Sequence, residues 1–338
     1  MQKTKNSILA VIKAKAKKIQ SYIAYPEALD PRTLEAMEII LAEETAHPLL
    51  IASRAQIEAK IAEFKLKLNP DAVQILDPTN PQIMERYVEE LFNLRKEKGM
   101  KKDEAAELMK DPNYMGVMAV HLKEADGMIS GAVGTTTMTA RPALQIIGTK
   151  EKFHKVSGLF FMIFESRLLL FADCAISPEP DAHELADIAI DTATTALRFG
   201  ITPKIAMLSF STNGSAKHPN ADKVKEATAM VKDRRPDLMV DGEMQVDAAL
   251  VPWVGKQKFP NSKIQGDANI LIFPNLDAGN IAYKLVERLA GAEAIGPMLQ
   301  GLAQPINDLS RGCNAQDIAD LTAITSCEST EANYDFDL

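Results

Sequence analysis

What this chain has little of narrows its class first. Its 338 residues include only three cysteines, Cys174, Cys313 and Cys327. They show no metal-ligand spacing and one is left over from any pairing, which excludes a disulfide framework and fits a reducing cytoplasm. Long apolar runs are missing too. The longest, Gly158 to Phe164 and Leu168 to Ala172, are strand-sized and separated by Glu165, Ser166 and Arg167, so no membrane span is expected. The start lacks a secretory apolar region. Met1 to Lys18 is Lys-rich, with Ile8, Leu9, Ile12 and Ile19 at roughly helical spacing, but it has no Arg and little Ser; this predicts a surface helix rather than a targeting peptide. Basic excess is absent: 38 Lys+Arg against 46 Asp+Glu leave a net charge of −8. A nucleic-acid partner needs a basic face and is not expected, whereas a few arginines in a cleft can still reverse the potential for a small anion. Neither a Walker loop nor a dinucleotide fingerprint occurs.

What is present reads as soluble α/β protein, with 46% hydrophobic and 25% charged residues. Strands are predicted at Tyr22 to Tyr25, Pro48 to Ala52, Val73 to Leu76, Gly127 to Ala132, Leu159 to Phe164, Leu168 to Cys174, Lys204 to Phe210 and Ala268 to Phe273. Helices are predicted at Arg32 to Glu44 (after the start signal Asp30-Pro31), Gln56 to Phe64, Gln82 to Lys96, Ala182 to Phe199, Asp222 to Lys232, Ala278 to Leu289 and Asn314 to Ser326. Such alternation implies an α/β fold with largely parallel sheets. The polar segment Gly148 to Lys155 is one candidate domain crossing. The region of Gly296-Pro297 and Gln304-Pro305 is a second, returning the chain to its first domain. The expected division is residues 1–150 plus 305–338 against 151–304, with a cleft between the two domains. The acidic tail from Glu328 to Leu338 is expected to fray.

The stretch richest in chemistry lies near the C-terminus, Ile306-Asn-Asp-Leu-Ser310-Arg311-Gly312-Cys313, followed by Asp317. A helix beginning near Asn314 would bring its free N–H groups, Ser310 and Arg311 toward one anion. Asp317, one turn in, could then accept a proton from an attacking group. That layout suits acyl transfer to or from a phosphate. Ser130-Gly131-Ala-Val-Gly134-Thr135-Thr136 follows an apolar strand and leads into a helix holding Arg141. Its small and hydroxyl residues suit either an anion cradle or a tight strand–helix turn. Ser209 to His218 offers the same alternatives. Asp277 reads as a helix cap. Asp181, Glu184, Asp187 and Asp191 read as an acidic helix start, with a Mg²⁺ pair at Asp187 and Asp191 as the alternative. Arg95, in a basic cluster ending a helix, reads by itself as surface.

These motifs resemble the phosphate acetyltransferase and butyryltransferase family over nearly the whole chain. The strongest stretches are Gly296 to Gly312, Asp241 to Ala249, Ser209 to Ala216 and Arg141 to Gln145. The resemblance implies two α/β domains like those of the isocitrate and isopropylmalate dehydrogenases, a homodimer, no organic cofactor and no metal. It also implies interconversion of acetyl-CoA plus phosphate with acetyl phosphate plus CoA. Ser310, Arg311 and Asp317 fall on the family's catalytic positions, and Arg95 and Arg141 on its CoA- and phosphate-contacting arginines. Ser130, Gly131, Thr135 and Thr136 are the further candidates for substrate contact. The chain departs from the pattern at Gly134 and Met138, where the family often has His and then Asp.

The expected mechanism is direct attack by the CoA thiolate in a ternary complex, with Asp317 as base, Arg311 on the phosphoryl oxygens and Ser310 donating to developing charge. An acyl-enzyme on Cys313, whose thiolate Arg311 would favour, is the rival route. A butyryl-type acyltransferase, a metal-dependent hydroxyacid dehydrogenase and an inactive acyl-CoA-binding protein are the alternative functions.

Overall fold

The computed structural model describes residues 5–150 and 155–330. The acidic tail beyond 330 and the centre of the first expected crossing, 151–154, lie outside the described residues. In chain order the elements begin with α1 (Lys5–Ile19), β1 (Tyr22–Tyr25), α2 (Pro31–Glu43), β2 (His47–Ile51), α3 (Arg54–Phe64), β3 (Gln74–Leu76), α4 (Pro81–Arg95), α5 (Lys102–Leu108), α6 (Pro112–His121), β4 (Gly127–Ser130) and α7 (Thr136–Ile146). They continue with β5 (Ser157–Ile163), β6 (Leu168–Ala172), α8 (Ala182–Arg198), β7 (Lys204–Leu208), α9 (Pro219–Arg234), β8 (Met239–Met244), α10 (Val246–Leu250), α11 (Pro252–Lys258), β9 (Ile270–Ile272), α12 (Leu276–Ala290) and β10 (Glu293–Gln300). The chain ends with β11 (Ile306–Asp308) and α13 (Ala315–Glu328). Of the described residues, 9–150 with 302–330 form one unit, here the split unit, and 155–301 form the body of the other, the continuous unit.

The split unit is built on a parallel sheet in the order β3-β2-β1-β4-β11. Parallel pairing sends every strand's carboxyl end to the same edge. Register places Ala24 beside Met128 and Asp308 beside Ser130. Both faces are covered by helices, so Ile23, Ala24, Leu50 and Met128 are buried without alternation. Helix starts are written in the sequence as Asx–Pro pairs. Asp30, Asn80 and Asp111 each cap a helix whose first residue is Pro31, Pro81 or Pro112, because proline has no N–H to leave unsatisfied there. Helix α13 packs on α2 and is tied to β1 by the buried Tyr25 hydroxyl, 2.7 Å from Thr322 Oγ1.

The continuous unit has a mixed sheet in the order β10-β5-β6-β9-β7-β8. β5 runs antiparallel to both β10 and β6, and the remaining pairs are parallel. Its core holds Phe160, stacked on Tyr283 of α12 with ring centroids 4.1 Å apart. Gly296-Pro297 lies inside β10, where the pairing with β5 shifts register between Ile295 and Met298. Asp277 is not the cap of α12. Asn275 is, accepting the Ala278 N–H at 3.0 Å, and Asp277 sits in the first turn.

Candidate active site

Three segments leave the carboxyl edge of the split unit's sheet side by side: residues 26–30 after β1, 131–135 after β4 and 309–314 after β11. Open α/β sheets bind ligands at this edge. The second segment is the small-residue turn that suits either an anion cradle or a tight strand–helix connection. Its anion is the chain's own. The Ala132 N–H donates to Glu27 Oε2 at 2.7 Å, and the Val133 and Gly134 N–H groups donate to Oε1 at 3.0 and 2.8 Å. Three charge-assisted bonds to one carboxylate fix the turn. Ser130 is likewise committed, buried with its hydroxyl donating to Asn113 Oδ1 at 2.6 Å. Thr136 donates to Asp308. Of the four further candidates for substrate contact, Thr135 is exposed at the N-terminus of α7 with its side chain making no cap. The Ser209 to His218 loop in the continuous unit repeats the device: Glu243 Oε1 accepts from the Gly214 N–H at 2.7 Å and from Ser211 Oγ at 2.9 Å.

The third segment carries Ser310 and Arg311. Ser310 is half-buried and Arg311 exposed. A tight turn follows, in which the Cys313 N–H donates to the Ser310 carbonyl at 2.9 Å. Asn314 then caps α13. Its side chain takes the Asp317 N–H at 3.0 Å, while Asp317 Oδ2 accepts the Asn314 N–H at 2.9 Å. The reciprocal box that orients Asp317 thus also uses a helix N–H that sequence reasoning offered to a ligand.

Arg32 is the clamp that sequence reasoning missed. From α2 its guanidinium donates to the carbonyls of Arg311 (2.9 Å), Cys313 (3.2 Å) and Ala132 (2.7 Å), and it is held by Asp30 at 2.9 Å. It therefore ties all three edge segments together. The only sequence signal was its place after the helix-start pair Asp30-Pro31. Cys313 lies against this same group, Sγ 3.8 Å from Arg32 Nη1. Burial nevertheless pushes its thiol up to about 11, opposed by Arg32 and reinforced by Asp317. The expected favouring of a thiolate by Arg311 is overturned, because desolvation outweighs the one neighbouring cation.

Arg95 and Arg141 lie on helices that pack on each other and on α6. Arg95 ends α4 and Arg141 lies on α7, and both guanidiniums act on Tyr114 of α6. The Tyr114 hydroxyl donates to Gln145 Oε1 at 2.7 Å, and its pKa is raised by burial against the opposing pull of both arginines. Arg141 is exposed, whereas Arg95 Nε is buried with no hydrogen-bond partner among the described residues. Beside the Glu27 turn a cavity of about 860 Å³ is lined by Glu27, Asp30, Lys60, Asn113, Val133, Gly134 and Met138, among others. Gly134 and Met138, the two departures from the family pattern, thus share one wall.

The acidic residues of α8 are structural. Asp181 and Glu184 form a capping box, Asp187 pairs with Arg234 at 2.6 Å, and Asp191 is buried. Among the described residues no group of three or more His, Cys, Asp or Glu side chains could hold a metal ion.

Known proteins resemble this chain over most of its length. The chain is 47% identical over 307 residues to a phosphate acetyltransferase from Bacillus subtilis (strain 168), covering 91% of this chain and 94% of that protein. The solved structure of an EutD phosphotransacetylase from Staphylococcus aureus matches with a TM-score of 0.87 at 40% identity, over 97% of this chain and 99% of that one. Likeness of fold alone extends to a branched-chain phosphotransacylase from Enterococcus faecalis V583, at 18% identity and a TM-score of 0.70 over 91% of this chain and 99% of that one. Residues 7–326 match the family described as phosphate acetyl/butaryl transferase, and the chain belongs to that family.

Proposed function

We propose that this enzyme reversibly transfers an acetyl group between CoA and inorganic phosphate. The carrying observation is the turn at the sheet's carboxyl edge that pairs a half-buried Ser310 with an exposed Arg311, followed by a carboxylate in the first turn of α13 that its own cap holds in place. In the direction of acetyl-CoA synthesis, Asp317 takes the CoA thiol proton. The sulfur then attacks the acetyl carbonyl of acetyl phosphate, the carbonyl–oxygen bond to phosphate breaks, and phosphate leaves. Arg311 presents a planar fork to the phosphoryl oxygens, and Ser310 donates to the charge that develops. Arg95 and Arg141, with Thr135, hold the anionic ends of the substrates. A buried guanidinium nitrogen without a partner costs about 1–3 kcal/mol, which an arriving acceptor would recover.

Proton transfer is the demanding step. Reference pKa values of about 8.5 for a thiol and about 3.9 for Asp leave a gap of roughly 4.6 units, about 6 kcal/mol uphill. The cationic surroundings of the bound sulfur must supply part of this and exclusion of water the rest. An acyl-enzyme on Cys313 is disfavoured because that thiol is buried and its pKa is raised. The same reading includes a homodimer, a cytoplasmic location consistent with three free buried cysteines, and activity without cofactor or metal. Phosphate-dependent release of CoA from acetyl-CoA tests the reaction. We expect Arg311→Ala to lower it by at least about 100-fold, the scale for losing a preorganised charge partner. Arg311→Ala with wild-type rates would remove the proposed phosphoryl site.

A further inference from the structure

Asp308 joins two segments that the proposed chemistry uses together. It ends β11, two residues before Ser310, and is fully buried. Its Oδ2 accepts from Thr136 Oγ1 at 2.6 Å and its Oδ1 from Thr139 Oγ1 at 2.7 Å. Both threonines belong to the start of α7, the helix that carries Arg141. The turn between β4 and α7 is shaped around this carboxyl. Gly131 has φ +102°, and a Cβ there would meet Asp308 Oδ1 at 2.2 Å. An apolar side chain could fill the same space without the desolvation cost of a buried acid. What the acid adds is a two-pronged tie of fixed length between the helix and the loop.

We infer that Asp308 is a positioning residue for the acyl transfer. It holds α7, and with it Arg141, in register with Ser310 and Arg311, so that CoA on the helix side and the phosphoryl group on the loop side meet in attack geometry. The inference rests on the acyl-transfer reading above. Each half-site survives loss of the tie, so affinity is kept; their relative placement is not, and a misplacement of about 1 Å costs on the order of 100-fold in rate. The effect therefore falls on kcat and leaves KM largely unchanged.

Initial rates with acetyl phosphate and CoA test this on the full-length Asp308→Ala, Asp308→Asn and Thr139→Val variants, each first shown to melt cooperatively. We expect kcat to fall about 100-fold in Asp308→Ala and about 10-fold in Thr139→Val, with KM for both substrates within about threefold of wild type. Asp308→Asn keeps an acceptor and fills the same space, and is expected to recover most of the kcat that Asp308→Ala loses. Thr139→Val leaves the acid in place and keeps the test open if Asp308→Ala does not fold. Folded Thr139→Val with wild-type kcat, or variants that raise KM at unchanged kcat, would overturn the inference. Wild-type protein without acetyl transfer would instead sink the functional reading.

Discussion

At the scale of single residues, the loops of both units are shaped by carboxyls that the chain keeps for itself. Glu27, Glu243 and Asp308 each take two or more internal donors. Two of them fill turns whose small and hydroxyl residues looked ready for an outside anion. Composition showed that the turns collect donors. It could not show whose acceptor arrives, because Glu27 and Glu243 lie about a hundred and about thirty residues away along the chain. Asp308 carries a measurable consequence. Burial, aided by the charge of Glu27, raises its pKa to about 6 from 3.8, against the pull of both threonine hydroxyls. The folded state then holds a proton that the unfolded state has released between those values, so this acid costs stability above pH 6 and the cost is relieved as pH falls toward 4. A shift of this size amounts to about 3 kcal/mol. The stability of wild type minus that of Asp308→Asn should rise by about that amount from pH 8 to pH 3, as read by chemical denaturation at each pH. A flat difference would show that the acid is not strained by burial.

At the scale of elements, the chain was legible wherever local signals and burial agree. β1 is legible to the residue, and the capped helices α2, α3, α4, α8 and α13 within a few residues, since their starts are set by Asp, Ser or Asn side chains. The elements not foreseen share a different physics. β8 contains Asp241 and Glu243, and β11 contains Asn307 and Asp308; all four are buried and satisfied by partners distant in sequence, which erases the apolar signature of a strand. β10 was hidden by Gly296-Pro297, and α6 by being buried nearly all round, so that it shows no stripe. The α13 cap gives an element-scale prediction. Asn314 both closes the helix start and orients Asp317. Asn314→Ala should cost about 1 kcal/mol of stability and lower kcat, whereas Asn314→Ser should keep most of both. Denaturation midpoints and rates of the two variants check it. Equal stability of Asn314→Ala and wild type would mean that the cap adds nothing, and unchanged kcat would free Asp317 from any need to be held.

At the scale of the whole molecule, the proposed homodimer calls for an apolar surface that a second copy can cover. The amphipathic pattern of α12 bears on it. Ala278, Ala282 and Val286 pack on the core of the continuous unit, while Ile281, Leu285 and Leu289 form the next row, 57%, 52% and 81% exposed. Spacing of four residues keeps these three on one stripe. Such a row is self-complementary. Paired antiparallel with its own copy about a two-fold axis, Leu285 meets Leu285 and Ile281 meets Leu289, the isologous geometry of most soluble dimers. Burying each of these side chains is worth about 1.5–3 kcal/mol, enough to make the row the energetic centre of an interface. Wild type should therefore sediment at twice 37.0 kDa. Leu285→Glu sets two carboxylates against each other on the axis and should sediment as a single chain with its secondary structure intact. A Leu285→Glu variant that stays dimeric would move the interface elsewhere on the surface. The rates of the dissociated variant carry a second answer. Every proposed catalytic and substrate-holding residue lies in the split unit of one chain, so a folded single chain should still transfer acetyl groups.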